Sequence, residues 1–249
     1  MPSLDWLTAR PIAHRGLHDA ASGVIENTAS AFSAAIAGNY GIECDVQISA
    51  DGEAMVHHDF NLGRLTDGNT SLAALSAAEI KVAPFKATSD RVMTLGELCD
   101  LVSGRVVLAV EIKSRFDGDR RLVQRAADIL SAYTGPAAAM SFDPGAIEAL
   151  RSLAPQVIRG IVAERHYDHP EWAALTAAQK WRLAFLTHAG ESRPQFVAYA
   201  VRDLPGVAPG VAKMFRIPVL TWTVRSAADR ERAARYADQM IFEGFSPET

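Results

Sequence analysis

Glu43-Cys44-Asp45 places two carboxylates two residues apart in a β-like run, so both project from one face of a single strand. Glu111-Ile112-Lys113 repeats the spacing with a carboxylate and an ammonium, directly after the apolar run 106–110. Three converging carboxylates repel one another, and a divalent cation relieves that repulsion. An all-oxygen donor set suits one hard cation, Mg²⁺ or Ca²⁺, and Cys44 and Cys99 are not clustered as a thiolate site requires. Salt bridges to nearby Lys or Arg are the plainer reading for any one of these acids. Three of them on two strands, all near strand ends, favour the metal.

His14-Arg15-Gly16 closes an earlier β-like run, and His57-His58-Asp59 supplies a second imidazole. Arginine matches phosphate oxygens with a planar fork, and Gly16 lets the backbone turn or approach a ligand. Two imidazoles flanking a metal and a guanidinium make an acid and a base for phosphodiester cleavage. A capping or core histidine is the commoner role for such a tripeptide taken alone. The chain has no Gly-x-Ser-x-Gly elbow, Walker loop or Gly-x-Gly-x-x-Gly fingerprint, so those chemistries lose their usual sequence support.

Positioning these residues requires strands that end together. β-like runs at 11–16, 42–49, 106–113, 137–142, 157–163, 196–201, 218–224 and 239–243 alternate with helical composition at 28–37, 94–103, 120–133, 144–153, 171–188, 209–215 and 227–236. Eight strands separated by helices predict an α/β fold, a distorted TIM (β/α)8 barrel, with an open doubly wound sheet as the alternative. In such a barrel the C-terminal strand ends carry the site. Ala50-Asp51-Gly52 between two β-like runs predicts a hairpin extending strand 2, which returns His58 beside Glu43 and Asp45. An insertion at about 60–90 follows, whose Leu62, Leu65, Leu72, Leu75 and Ile80 among Asp, Lys and Ser read as a helix packed on the barrel. No linker or repeat divides residues 1–249, which read as one domain.

Composition narrows the class. Apolar residues at 49% and charged residues at 22% are the profile of a folded globular chain that can bury a core without disulfides. Twenty-five basic against 29 acidic residues leave a net charge of −4, with no basic footprint for nucleic acid. The uncharged stretch 27–42 is too short to span a bilayer, and the N-terminal residues lack the apolar core of a signal peptide. The expectation is a cytoplasmic protein with no membrane span and no nucleic-acid partner. Oligomeric state has no signature in the sequence.

Read in order, His14-Arg15-Gly16, Glu26-Asn27-Thr28 with Ala31-Phe32, Glu43-Cys44-Asp45-Val46-Gln47, Asp51-Gly52, His58-Asp59 with Arg64 and Thr66, Glu111-Ile112-Lys113, Ser141-Phe142 and Trp222-Thr223-Val224 resemble the glycerophosphodiester phosphodiesterase family. The ordered set covers nearly the whole chain. The resemblance implies that Glu43, Asp45 and Glu111 ligate the cation, that His14 and His58 are base and acid, and that Arg15 and Lys113 hold phosphate. It implies a small-molecule glycerophosphodiester substrate, cleaved to glycerol 3-phosphate and an alcohol. Family chemistry of this kind runs through attack by the glycerol 2-hydroxyl and a cyclic phosphate that water opens. Phe142 and Trp222 read equally as an apolar wall for glycerol or as core aromatics, and Asn27 as a structural tie to backbone. The sequence departs from the family at Ile25, where Pro is common, and at Met240–Gly244, where the family often ends in a Thr-Asp pair: either Glu243 substitutes for that Asp or this end of the barrel is built differently. His57 adjoins His58, and only one of the two can face the metal side. A sphingomyelinase D-like lipid phosphodiesterase and a catalytically silent phosphate-binding barrel are the rival readings.

Overall fold

Helix α1 (Asp5–Thr8) precedes β1 (Ile12–Ala13), α2 (Ala29–Ala37), β2 (Gly41–Ile48) and β3 (Ala54–Val56) in the computed structural model, which describes residues 3–247. Helices α3 (Ala77–Val82) and α4 (Leu95–Val102) lead to β4 (Leu108–Ile112), α5 (Arg121–Ala132), β5 (Ala137–Ser141) and α6 (Pro144–Leu153). The chain continues through β6 (Ile158–Ala163), α7 (Ala177–Ala184), α8 (Ala189–Ser192), β7 (Phe196–Ala200), α9 (Val207–Met214), β8 (Val219–Val224), α10 (Ala227–Tyr236) and β9 (Gln239–Phe242). Eight strands pair in parallel in the order β1-β2-β4-β5-β6-β7-β8-β9, and β9 closes on β1. The fold is a TIM barrel. β3 is an added antiparallel arm on the C-terminal half of β2, with Val46 opposite Val56, as the Asp-Gly turn predicts.

Strand parity decides what each side chain faces. Ile42, Cys44 and Val46 of β2 and Leu108, Val110 and Ile112 of β4 pack outward, in one cluster with Phe32, Leu95, Leu98 and Val102 of the helices. The intervening Glu43, Asp45 and Glu111 therefore point into the barrel. The interior below them is apolar: Ile12, Ala138, Met140, Val162, Phe196, Ala198, Leu220 and Ile241 form one cluster, joined by Leu7 of α1. Gly160 makes room for the Phe196 ring, which would lie 2.3 Å from a Cβ there. Enclosing that phenyl ring contributes roughly 2–3 kcal/mol.

Local signals fix the helix starts. Thr28 and Thr94 cap α2 and α4, and Thr94 forms a capping box with Glu97. Asp143 caps α6, with Pro144 in its first turn. Two expectations need revision. Strand β1 stops at Ala13, not residue 16, because Arg15 (φ 56°) and Gly16 (φ 80°) turn the chain away; a Cβ on Gly16 would lie 2.9 Å from Ala31. The helix expected over 171–188 is broken, because Thr176 adopts an extended conformation and starts a new capping box with Gln179. Pro170–Trp172 is instead a single 3₁₀ turn.

Residues 60–90 hold a 3₁₀ turn (Leu72–Ala74), α3, and isolated bridges between Asn61 and Ser71 and between Thr66 and Phe85. Leu62, Leu72, Ile80 and Phe85 gather with Ile25, Met55 and Val92 into a cluster of their own over the hairpin. The apolar spacing in this stretch serves that small core and not one long helix.

Candidate active site

Register brings the acids together. Asp45 is directly opposite Glu111 across β2 and β4, and Glu43 lies one inward position earlier. One carboxylate oxygen from each of Glu43, Asp45 and Glu111 lies within 4.8 Å of the others, and all three residues are buried. Lys113 Nζ sits 2.8 Å from Asp45 Oδ1 and 2.6 Å from Glu111 Oε1. Arg15 Nε lies 3.2 Å from Asp45 Oδ2, while its Nη1 donates to Glu26 Oε1 at 2.7 Å. Burial raises the Glu43 carboxyl well above the usual range, and Asp45 and Glu111 push the same way. Burial also raises Glu111, against the pull of Lys113. At Asp45, burial is overcome by Lys113 and Arg15, which hold it well below the ordinary value.

These residues fit a hard divalent cation. Three carboxylates face one ammonium, plus a guanidinium already shared with Glu26, so negative charge is in excess. Asp45 Oδ1, fully enclosed, accepts no aligned hydrogen bond despite the nearby Lys113. An all-oxygen set of this kind matches Mg²⁺ or Ca²⁺.

Both imidazoles are fixed at Nδ1 by a carboxylate. His14 follows β1, where Ala13 is in register with Ile42 on one side and Phe242 on the other. His14 consequently stands between Glu43 and Glu243: its Nδ1 is 2.5 Å from Glu243 Oε2, and its Nε2 is 4.0 Å from Glu43 Oε2. A carboxylate only accepts, so the Nδ1–H tautomer is assigned and Nε2 is left for chemistry. Burial lowers the His14 imidazole to about 4, with the Glu243 hydrogen bond working in the opposite direction. His58 Nδ1 lies 2.7 Å from Asp59 Oδ1, and Gln47 Nε2 donates to the His58 carbonyl at 2.8 Å. His57 faces away: it is buried, with Nδ1 against the Asp59 carbonyl at 2.9 Å.

His14, Arg15, Glu43, His58, Glu111, Lys113, Phe142 and Trp222 all line one cavity of about 570 Å³ at the C-terminal strand ends. Asp45 lies beneath it. Phe142 and Trp222 are core aromatics that also line this cavity. Their rings pack edge to face, 5.5 Å apart, on the barrel interior, and both border the cavity.

Several contributors carry no catalytic or binding role in the sequence reading. Glu243 holds His14 and is itself held by Arg225 Nε at 2.8 Å. Glu26 accepts from Arg15 and from Arg64 (Nη2, 2.7 Å), and Arg64 Nε donates to Asp59 at 2.6 Å, so one chain of charges links Arg15 to His58. Asn27 does more than tie backbone: its Nδ2 donates to Asp45 Oδ2 at 2.9 Å. Trp172 packs 4.8 Å from Phe142, and its Nε1 donates to the buried Glu164 at 2.6 Å. The inward parity of Glu243 and Glu164 at their strand ends is the sequence signal that could have found them.

A barrel with carboxylates, two imidazoles, a guanidinium and an ammonium at its C-terminal mouth fits a phosphoester-cleaving hydrolase. Residues 14–245 match the Glycerophosphoryl diester phosphodiesterase family, and the chain belongs to it. It is a phosphoric diester hydrolase. A glycerophosphodiester phosphodiesterase of Caldanaerobacter subterraneus subsp. tengcongensis is 26% identical over 231 residues, which cover 89% of this chain and 88% of that one. Among solved structures, an Oleispira antarctica phosphodiesterase in complex with the product sn-glycerol-3-phosphate superposes with a TM-score of 0.77 at 20% identity, covering 95% of this chain and 94% of that one. A glycerophosphodiester phosphodiesterase of Thermotoga maritima gives 0.70 at 22% identity, covering 93% and 92%. Among the described residues no helix is long and apolar enough to cross a membrane.

Proposed function

We propose that this enzyme hydrolyses soluble glycerophosphodiesters to glycerol 3-phosphate and an alcohol, with Glu43, Asp45 and Glu111 holding one Mg²⁺ or Ca²⁺. The observation that carries the reading is three buried carboxylates within ligand distance of one another, beside two histidines each anchored through Nδ1. The bound cation supplies charge compensation to the phosphoryl oxygens. His14, uncharged near neutral pH, takes the proton of the attacking glycerol hydroxyl at Nε2. His58 returns a proton to the departing alkoxide, its ring oriented by Asp59 through Nδ1. The two roles reverse when water opens the cyclic phosphate. Arg15 and Lys113 offset the diester's charge and the further charge that grows in the transition state. Phe142 and Trp222 give the carbon skeleton an apolar wall.

Soluble substrates are favoured over lipids by the 60–90 stretch. Leu62, Leu72 and Ile80 are buried in their own cluster, and Val82 is the one large apolar side chain of this stretch left exposed, too little for a face that binds a bilayer. The Oleispira relative's bound product, sn-glycerol-3-phosphate, is the one this reading requires. The test is release of glycerol 3-phosphate from a panel of glycerophosphodiesters, with each metal and with chelator. His14→Ala should lower the rate by about 10²–10⁴-fold on every diester. His58→Ala should lose as much on alkyl diesters but recover release of p-nitrophenol from a p-nitrophenyl diester, whose leaving group needs no proton, with the cyclic phosphate accumulating because its opening still needs His58. Equal losses on both substrates would reverse or remove the assignment of acid and base.

A further inference from the structure

Helix α9 carries an apolar face that the described residues leave uncovered. Val207, Val211, Met214 and Phe215 are exposed by 64%, 46%, 82% and 75%, four of the seven exposed large apolar side chains among the described residues. Positions i, i+4, i+7 and i+8 fall on one side of a helix, while Ala208 and Ala212 on the other side pack against Val197, Tyr199 and Val219 of the barrel. Together the four leave roughly 500 Å² of apolar surface in one stripe, a size at which a patch on a monomer marks an interaction site. Gly210 is also exposed, and a Cβ there would meet nothing within 4 Å, so no contact among the described residues calls for a glycine. Glycine in mid-helix weakens the helix relative to alanine, and it lets a second backbone approach closely.

The stripe ends on a hollow. α9 runs back from the catalytic mouth, so Met214 and Phe215 lie toward the N-terminal strand ends. A cavity of about 880 Å³ opens there between α1, residues 194–195, residues 215–218 and Asp238, with Phe215 on its border. An exposed phenyl ring beside a hollow complements its own copy, because about a twofold axis each ring enters the other's hollow. The charges on the same border suit that arrangement. Lys213 is paired with Asp238 at 3.1 Å, while Asp5 and Arg216, both exposed, have no ion-pair partner among the described residues. An acid and a base left over on one self-complementary face meet twice across a twofold axis. A bilayer selects a different border, of lysine and arginine without acids. The stripe supplies more than half of the about 800 Å² per partner that a standard interface buries, and the walls of the hollow extend it.

We propose that α9 and the adjoining hollow form the interface of a twofold dimer of this chain, with Met214 and Phe215 at its centre and both catalytic mouths left open. The test is sedimentation velocity of the full chain between about 1 and 100 μM, a range in which interfaces of this size associate, with Tm and steady-state hydrolysis measured alongside. The parent should form a two-chain species within that range. M214E/F215E should raise the dimer Kd at least about 100-fold, because charge replaces the two central anchors, and should keep the parent kcat and Tm. Arg216→Asp should raise Kd about tenfold, and D5R/R216D should recover most of that loss, because the reciprocal pair is restored with its signs exchanged. A parent that stays a single chain at about 100 μM overturns the proposal. So does a dimer that M214E/F215E leaves intact, which would place the interface elsewhere. A single-chain parent that floats with phosphatidylglycerol vesicles, when M214E/F215E does not, overturns it too and gives the face to a bilayer.

Discussion

Replacing Glu243 by Gln keeps the side chain's size and removes its charge, which isolates what the carboxylate does for His14. The contact is 2.5 Å from Nδ1 to Oε2, and the same carboxylate is braced by Arg225. A hydrogen bond to a charged group contributes about 1.5–3 kcal/mol and a neutral one about 0.5–1.5, so the ground-state loss is about 1 kcal/mol. The larger loss comes when His14 carries the proton. An imidazolium and a carboxylate about 4 Å apart attract by about 4 kcal/mol near a protein surface, and sharing with Arg225 reduces that. A net cost of about 2–3 kcal/mol in the transition state corresponds to about a 30–150-fold fall in kcat. KM should change little, because Glu243 acts through His14. The pH profile gives an independent sign. Burial lowers His14 to about 4 and the Glu243 hydrogen bond opposes that, so loss of the carboxylate lowers it further. The acid limb of kcat should therefore move to lower pH in Glu243→Gln. The assay is steady-state release of glycerol 3-phosphate across pH, with Tm as the control for folding. A Glu243→Gln enzyme with the parent kcat, or with its whole loss in KM, refutes the positioning role.

Glu43→Gln should abolish both activity and any rise in Tm on adding Mg²⁺ or Ca²⁺; in chelator its Tm should equal or exceed that of the parent, because burial disfavours the Glu43 charge. His188, buried with Nδ1 3.0 Å from Ser192 Oγ, is lowered by burial to about 4 from an ordinary value of 6.5. Its contribution to stability is complete above pH 6.5 and is lost as pH falls toward 4, by up to about 3 kcal/mol. Urea unfolding at pH 7.5 and 4.5 should show a smaller pH difference in His188→Gln; some difference remains, because His14 and His57 are also lowered. Gly16→Ala should cost about 2–4 kcal/mol, from a left-handed φ and overlap with Ala31, and should lower kcat by displacing His14 and Arg15; parent stability in urea would count against it.

The sequence by itself determined the chemistry available and the frame that carries it. Alternation in Glu43-Cys44-Asp45 and Glu111-Ile112-Lys113 places the charges on one face of each strand, because successive side chains point oppositely whatever the fold. Eight apolar runs separated by helical segments determine the barrel class, and Asp-Gly at 51–52 determines the hairpin that returns His58. Tertiary structure decided which elements meet. Glu243 reaches His14 across 229 positions only because β9 closes on β1, and strand register is set by closure of the whole barrel, which no local pattern encodes. The same applies to Asn27 on Asp45, to Glu26 between Arg15 and Arg64, and to Trp172 beside Phe142. Those partners lie on loops, whose paths follow from packing against the barrel and not from any periodicity of their own.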